Sequence, residues 1–162
     1  MRIIAIDPGY EKVGIAVLEK RKNENVLLYS GCFKTPSKQE FHKRLVSIGE
    51  EVKRIIDVYN PEILAIETLF FNNNQKTAMR VSEARGVIVV SCAAAGLRVL
   101  EYTPLQVKIA VTSHGRSGKA QMTAMVKRLL VMEDKIAEDD EYDAISVGLT
   151  CLAHDSSYGR IE

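Results

Sequence analysis

Two short apolar runs, each closed by a single carboxylate, constrain this chain more than any other feature. Ile3-Ile4-Ala5-Ile6 leads into Asp7 and then Pro8-Gly9, while Ile63-Leu64-Ala65-Ile66 leads into Glu67 and a polar loop. Short apolar runs bounded by turn signals read as buried strands. Each carboxylate therefore stands at the carboxyl end of a strand, where ligands collect in α/β sheets. If the two strands are neighbours, both acids project toward one crevice. A lone acid at a strand end is adequately explained by solvation, so it is the matched pair that points to a site.

The remaining pattern surrounds these strands with further elements. Gly14 to Leu18 and Val26 to Phe33 read as two more strands, and polar Lys20 to Asn25 between them carries a hairpin-turn signal. Three strands joined by short turns imply an antiparallel start to the sheet. Between Gln39 and Tyr59 the residues Phe41, Leu45, Ile48, Val52, Ile55, Ile56 and Tyr59 recur at helical spacing before Pro61. A strand over Glu62 to Ile66, a loop over Thr68 to Asn74, a long helix over Gln75 to Ala95 and a strand over Arg98 to Tyr102 follow. Further helices are expected after Pro104, Gly118 and Glu138. The fold class is α/β: a mixed five-stranded sheet, its first three strands antiparallel, with helices packed on it. No repeat or linker divides residues 1–162, so one domain is expected.

With 46% hydrophobic and 27% charged residues, the composition is that of a globular protein and excludes disordered and fibrous classes. Cys32, Cys92 and Cys151 are far apart and in no metal-ligand spacing; they read as reduced core thiols of a cytoplasmic protein. The amino terminus is apolar for too few residues to be a leader, and the run Val87 to Leu97 falls well short of a membrane span of ~20 residues. A net charge of +1 hides a segregation: residues 74 to 128 hold nine basic and two acidic side chains, while the rest of the chain carries −6. Such asymmetry suits a surface that faces a polyanion.

The third acidic element is the run Glu138-Asp139-Asp140-Glu141-Tyr142-Asp143, which opens an apolar helix. Acids in a first turn are favoured by the helix dipole without any function. Asp140 and Asp143 share one face at i and i+3, and Asp139 and Asp143 do so at i and i+4, so periodicity leaves both pairs open. Clustered carboxylates without His or Cys select hard cations, which points to Mg²⁺ or Mn²⁺. Three or four carboxylates can hold two such ions about 3.5 to 4 Å apart for an in-line phosphoryl displacement. A nuclease needs that chemistry.

Six segments fall in the order and spacing of one known family: IDPG at Ile6 to Gly9, AIETLFFNNN at Ala65 to Asn74, ARG at Ala84 to Gly86, YTPLQVK at Tyr102 to Lys108, HGRSGKAQM at His114 to Met122, and DEYDAI at Asp140 to Ile145. The chain resembles RuvC-type Holliday junction resolvases over nearly its whole length. That resemblance implies an RNase H-like fold, a homodimer, symmetric nicking of four-way junction DNA in recombination and repair, and a branch-migration motor complex as a partner. It would place the acidic quartet on Asp7, Glu67, Asp140 and Asp143. After DPG the family commonly has a small polar residue and then a Thr-Gly pair, where this chain has Tyr10 and Val13-Gly14.

Adjacent aromatics Phe70 and Phe71 in a polar loop suit stacking on bases opened at a junction, though they could equally anchor the loop to the core. The resemblance assigns the base-facing role to Phe70. Residues Ser113 to Ala120 fail the phosphate-loop pattern at Ser113 and Ala120, but Arg116 and Lys119 near a helix amino terminus suit a DNA phosphate. The resemblance adds Lys108 and Lys119 near the cut phosphate.

Three other readings compete. A nuclease of the same fold acting on RNA or simple duplex would share the carboxylates and differ in the aromatic loop. The DPG and KVGIAV segments also resemble the start of sugar-kinase and actin-like ATPases, which need two such domains. A non-catalytic junction-binding protein would not require four carboxylates.

Overall fold

A computed structural model describes residues 1–22, 24–69, 75–131 and 138–158, with backbone alone at 75–76 and 155–158. Its elements are β1 (Arg2–Asp7), β2 (Lys12–Arg21), β3 (Glu24–Lys34), α1 (Phe41–Tyr59), β4 (Ile63–Glu67), α2 (Gln75–Ala94), β5 (Arg98–Tyr102), α3 (Pro104–Thr112), α4 (Lys119–Leu129) and α5 (Asp139–Tyr158). The sheet runs in the order β3-β2-β1-β4-β5. β1, β2 and β3 are antiparallel neighbours, whereas β4 and β5 extend the sheet parallel to β1. This is the expected mixed sheet.

Alternation along the strands divides the core into two layers. Ile4, Ile6, Ile15, Val17, Leu64 and Ile66 face Ile48, Val52 and Ile55 of α1 and Ile88 and Cys92 of α2. On the opposite face Ile3, Ala5, Ala16, Leu18, Ile63 and Ala65 meet the helices α3, α4 and α5. Alanines at three of those six positions let α5 sit close to β1 and β2. The approach is so close that a Cβ at Gly148 would stand 2.4 Å from Leu18 Cδ1 and 3.1 Å from Ala5 Cβ.

The strands of the hairpin are longer than the apolar pattern, because ladder pairing continues through polar Lys20 and Asn25 to the pair Arg21–Glu24. The expected turn therefore shrinks, and Lys22 adopts a left-handed φ of 51° within it. The first helix starts at Phe41 instead of Gln39, whose N–H is bonded to Pro36 O at 3.1 Å. Two of the three thiols are core residues, but Cys32 is half-buried at the sheet surface. Among the described residues no helix is long and apolar enough to cross a membrane.

Candidate active site

Parallel pairing puts Ile6 opposite Ile66, so the residues that follow, Asp7 and Glu67, leave neighbouring strands at the same end. β5 finishes level with them, with Glu67 paired to Tyr102. The chain then turns directly into α3, whose start is set by Thr103: its hydroxyl accepts from Gln106 N at 3.2 Å and Gln106 Oε1 accepts from Thr103 N at 2.8 Å, with Pro104 at the first helical position. About one turn later α3 presents Lys108 to the same crevice. Arg85 of α2 donates to Glu67 O at 3.2 Å and pairs with Glu101 of β5 at 3.0 Å, tying the ends of β4 and β5 to the helix above them. The crevice is a cleft of about 400 Å³ lined by Asp7, Glu67, Asp143, Lys108, Lys119 and Ser117 among others.

Packing of α5 separates the acids of its first turn. Glu138 and Glu141 serve the helix start: Glu141 Oε1 accepts from Glu138 N at 3.0 Å. Asp139 is exposed and pairs with Lys119 at 3.1 Å. Asp143 faces the cleft, 4.0 Å from the same ammonium. Asp140 does not line the cleft. It stands at the border, where its Oδ2 lies 3.6 Å from Lys12 Nζ and 3.8 Å from Cys32 Sγ. Gly14 on β2 makes this docking feasible, because a Cβ there would stand 2.1 Å from the carbonyl oxygen of Asp140.

The electrostatics of the cleft are those of uncompensated negative charge. Burial, followed by repulsion from Asp143, Glu67 and Asp140, pushes the Asp7 carboxyl up to about 7 against the pull of Lys119. Burial and then Asp143 raise Glu67, with Lys108 opposing. Asp143 is raised by burial first, with Lys119 opposing and Asp140 and Asp139 reinforcing. Among the described residues, no hydrogen bond or ion pair reaches the Asp7 or Glu67 carboxylate. Two lysines do not balance this cluster, and an oxygen-only ligand set with surplus charge suits a hard divalent cation.

A second acidic group has tighter geometry but not that surplus. Cys32, Glu138 and Asp140 bring one ligand atom each within 4.8 Å of the others. Lys12 reaches both carboxylates and Lys34 pairs with Glu138, so the group is neutralised already and its thiol is the wrong donor for Mg²⁺.

Of the expected DNA-contacting residues, Lys108 and Lys119 line the cleft. Arg116 does not; it lines an adjoining hollow that shares Ser117 with it. Phe70 and Phe71 lie outside the described residues. Sequence reasoning missed Lys12, Cys32 and Arg85, whose roles arise from contacts across the fold. Tyr10, the departure after DPG, is stacked upon by the guanidinium groups of Arg44 and Arg80 at 5.1 and 5.7 Å from its ring centre.

The sequence pattern of the family described as crossover junction endodeoxyribonuclease RuvC matches residues 3–151. The chain belongs to the RuvC family. A RuvC of Halothermothrix orenii is 44% identical over 158 residues, covering 98% of this chain and 94% of the relative. One of Finegoldia magna is also 44% identical, over 92% of this chain and 91% of its own. The solved structure of T. thermophilus RuvC in complex with a Holliday junction substrate superposes with a TM-score of 0.91 at 28% identity, covering 98% of this chain and 96% of that one. The yeast mitochondrial Holliday junction resolvase, at 11% identity and a TM-score of 0.71 over 98% of this chain and 82% of its own, shares the fold. The RNase H-like architecture expected of RuvC proteins is thus the one observed.

Proposed function

We propose that this chain resolves four-way DNA junctions by divalent-metal-dependent hydrolysis of one phosphodiester in each of two strands. The observation that carries this reading is the convergence of Asp7, Glu67 and Asp143, from β1, β4 and α5, on one cleft with Lys108 and Lys119 in its wall, in a chain of the RuvC family. Asp7, Glu67 and Asp143 hold the metal, Mg²⁺ or Mn²⁺, with Asp140 at the border of the set. A bound divalent cation supplies Lewis acidity toward the phosphate and a more acidic water, and a pair of ions would serve both the attacking and the leaving oxygen.

The chain's own groups supply the rest. Lys108 and Lys119, from α3 and α4, offset the charge that develops on the phosphoryl oxygens. Arg85 keeps the end of β4, and so Glu67, in place. Phe70, three residues beyond Glu67, is assigned to stacking on an unpaired base, a contact worth about 1–3 kcal/mol, with Phe71 beside it. Arg116 holds the strand outside the cleft. A homodimer through the outer face of α2 would present two clefts to the two-fold arms of a junction: Met79 and Val90 are 67% and 66% exposed there. A branch-migration motor is the partner this reading implies.

The test is incubation of pure protein with synthetic four-way junction, linear duplex and RNA–DNA hybrid, each with and without Mg²⁺. Paired nicks in the junction alone, only with metal, are the expected result. Equal cutting of duplex or hybrid favours the general-nuclease alternative, and tight junction binding without cutting favours a non-catalytic binder.

A further inference from the structure

Beside the cleft, across the ridge of Ser117 and Gly118, lies a hollow of about 480 Å³ lined by Thr112, His114, Arg116, Gln121, Met125 and Arg128 among others. Its shape is held by a rigid ridge. Ser117 is 7% exposed, and its hydroxyl lies 2.7 Å from that of Thr112, which donates in turn to Lys108 O at 2.7 Å. The ridge therefore joins the cleft lysine to the hollow through two hydroxyls. On the far wall Gln121 is fixed by accepting from Gly118 N at 3.1 Å. α4 starts on this ridge.

The charged lining of the hollow calls for an anion. Arg116 and Arg128 both line it, and among the described residues neither guanidinium has an acidic or carbonyl partner. Most other described arginines are engaged with an acid or a carbonyl: Arg2 and Arg21 with Glu19, Arg44 with Tyr10 O, Arg54 with Glu51 and Arg85 with Glu101, while Arg80 stacks on Tyr10 and Phe41. Gly118 and Lys119 at the start of α4 line the cleft instead, and Arg128 belongs to the last turn of that helix, so the hollow runs along α4 from the ridge toward its carboxyl end. Ala124 and Met125 add an apolar part to the lining of the hollow, which suits the sugar that carries the phosphate.

We propose that this hollow seats a second phosphodiester of the cut strand, adjoining the one in the cleft, with Arg116 and Arg128 as its clamp. The inference rests on the junction-cleaving reading and adds to it a second anion seat, a direction for the strand and a contact residue, Arg128. The strand crosses the Ser117–Gly118 ridge between the two seats. Guanidinium groups suit this task because they offer a fork of donors to phosphate oxygens.

Counterion release supplies the test, since each phosphate neutralised contributes about −0.9 to the slope of log affinity against log salt on duplex DNA. Junction affinity of the full-length protein is titrated with salt with Ca²⁺ in place of Mg²⁺, and cleavage is followed separately in Mg²⁺. Arg128→Ala should weaken binding threefold to tenfold at moderate salt and make the slope shallower by about 0.9. Arg116→Ala should do the same, the double variant should lose about twice that slope, and Arg128→Lys should restore most of it. Lys127→Ala is the control: this ammonium sits 5.9 Å from the Tyr142 ring centre and outside the hollow, so the slope should not move. Melting temperatures check that each variant is folded. A slope unchanged in Arg128→Ala, or lowered equally by Lys127→Ala, overturns the second seat in favour of a diffuse field. If the wild type neither binds nor cuts a four-way junction, the parent reading falls first and this one with it.

Discussion

Replacing Asp7 by asparagine removes one charge from the cleft at almost constant shape, and its consequences separate by condition. With Mg²⁺ and junction DNA, cleavage should fall more than about a hundredfold while affinity stays within a few-fold, as gel shift and nicking assays on the same preparation would show. Without metal the sign reverses, because Asp7 is a liability to the fold. Its carboxyl rises from 3.8 unfolded to about 7 folded, so between those values the folded chain holds a proton that the unfolded chain has released. Stability of the metal-free protein should therefore fall as pH rises through that window, by at most about 4 kcal/mol, and level off above it. Melting in EDTA at pH 5 and pH 8 should show this loss in the wild type and much less of it in Asp7→Asn. The proton on Asp7 also competes with any cation, so the Mg²⁺ concentration giving half-maximal thermal stabilisation should drop from pH 6 to pH 8. A half-point independent of pH would remove Asp7 from the metal set.

Element by element, the cleft depends on how closely α5 approaches β2 and how α2 grips β4. Gly14→Ala places a methyl group where the Asp140 carbonyl oxygen now sits. Shifting the start of α5 to relieve that clash should cost about 1–3 kcal/mol and carry Asp143 away from Asp7 and Glu67. Both melting temperature and cleavage should suffer, the cleavage remaining low per folded molecule at a temperature where the variant is native. Arg85→Leu acts at the other wall by releasing Glu67 O and Glu101. Loss of that charged contact should cost about 1–2 kcal/mol and weaken Mg²⁺ binding in the thermal-shift assay. Normal metal affinity in a folded Arg85→Leu protein would show that β4 keeps Glu67 in place unaided.

For the whole molecule, the decisive helix is α2, whose last two turns, from Val87 to Ala94, are apolar nearly all round. Ile88 and Cys92 fill the core under α1, which accounts for the inner side of that pattern. Among the described residues nothing covers the outer side, where Val90 is two-thirds exposed together with Met79. If that face joins two copies, Val90→Arg should shift the protein to monomer in sedimentation at micromolar concentration and convert paired nicks into single ones. Stability of the monomer should change little, because the substituted position is solvated there. A Val90→Arg protein that remains dimeric would move the interface elsewhere.

Much of this protein is legible in the chain itself, because the signals concerned are local. Apolar runs at Ile3–Ile6 and Ile63–Ile66 locate strands, and the residue ending each is chemically a ligand whatever surrounds it. Helical periodicity between Phe41 and Tyr59, the Pro104 start of α3 and the acidic opening of α5 need nothing beyond spacing. Basic residues crowded between 74 and 128 announce a polyanion without saying where it lies. Within the run at 138–143 helical spacing left two pairs open and the resemblance chose Asp140 with Asp143, but tertiary structure decided that Asp143 enters the cleft and Asp140 stops at its border, since each step along a helix rotates a side chain by about 100°. That rotation is set by the fit of α5 against Gly14 and the alanines of β1, β2 and β4. It also decided that Asp140 meets Lys12 and Cys32 at the border, that Arg85 supports Glu67, and that Arg116 joins Arg128 in a separate hollow. Such pairings follow from which surfaces pack together, and no local pattern in the chain encodes them.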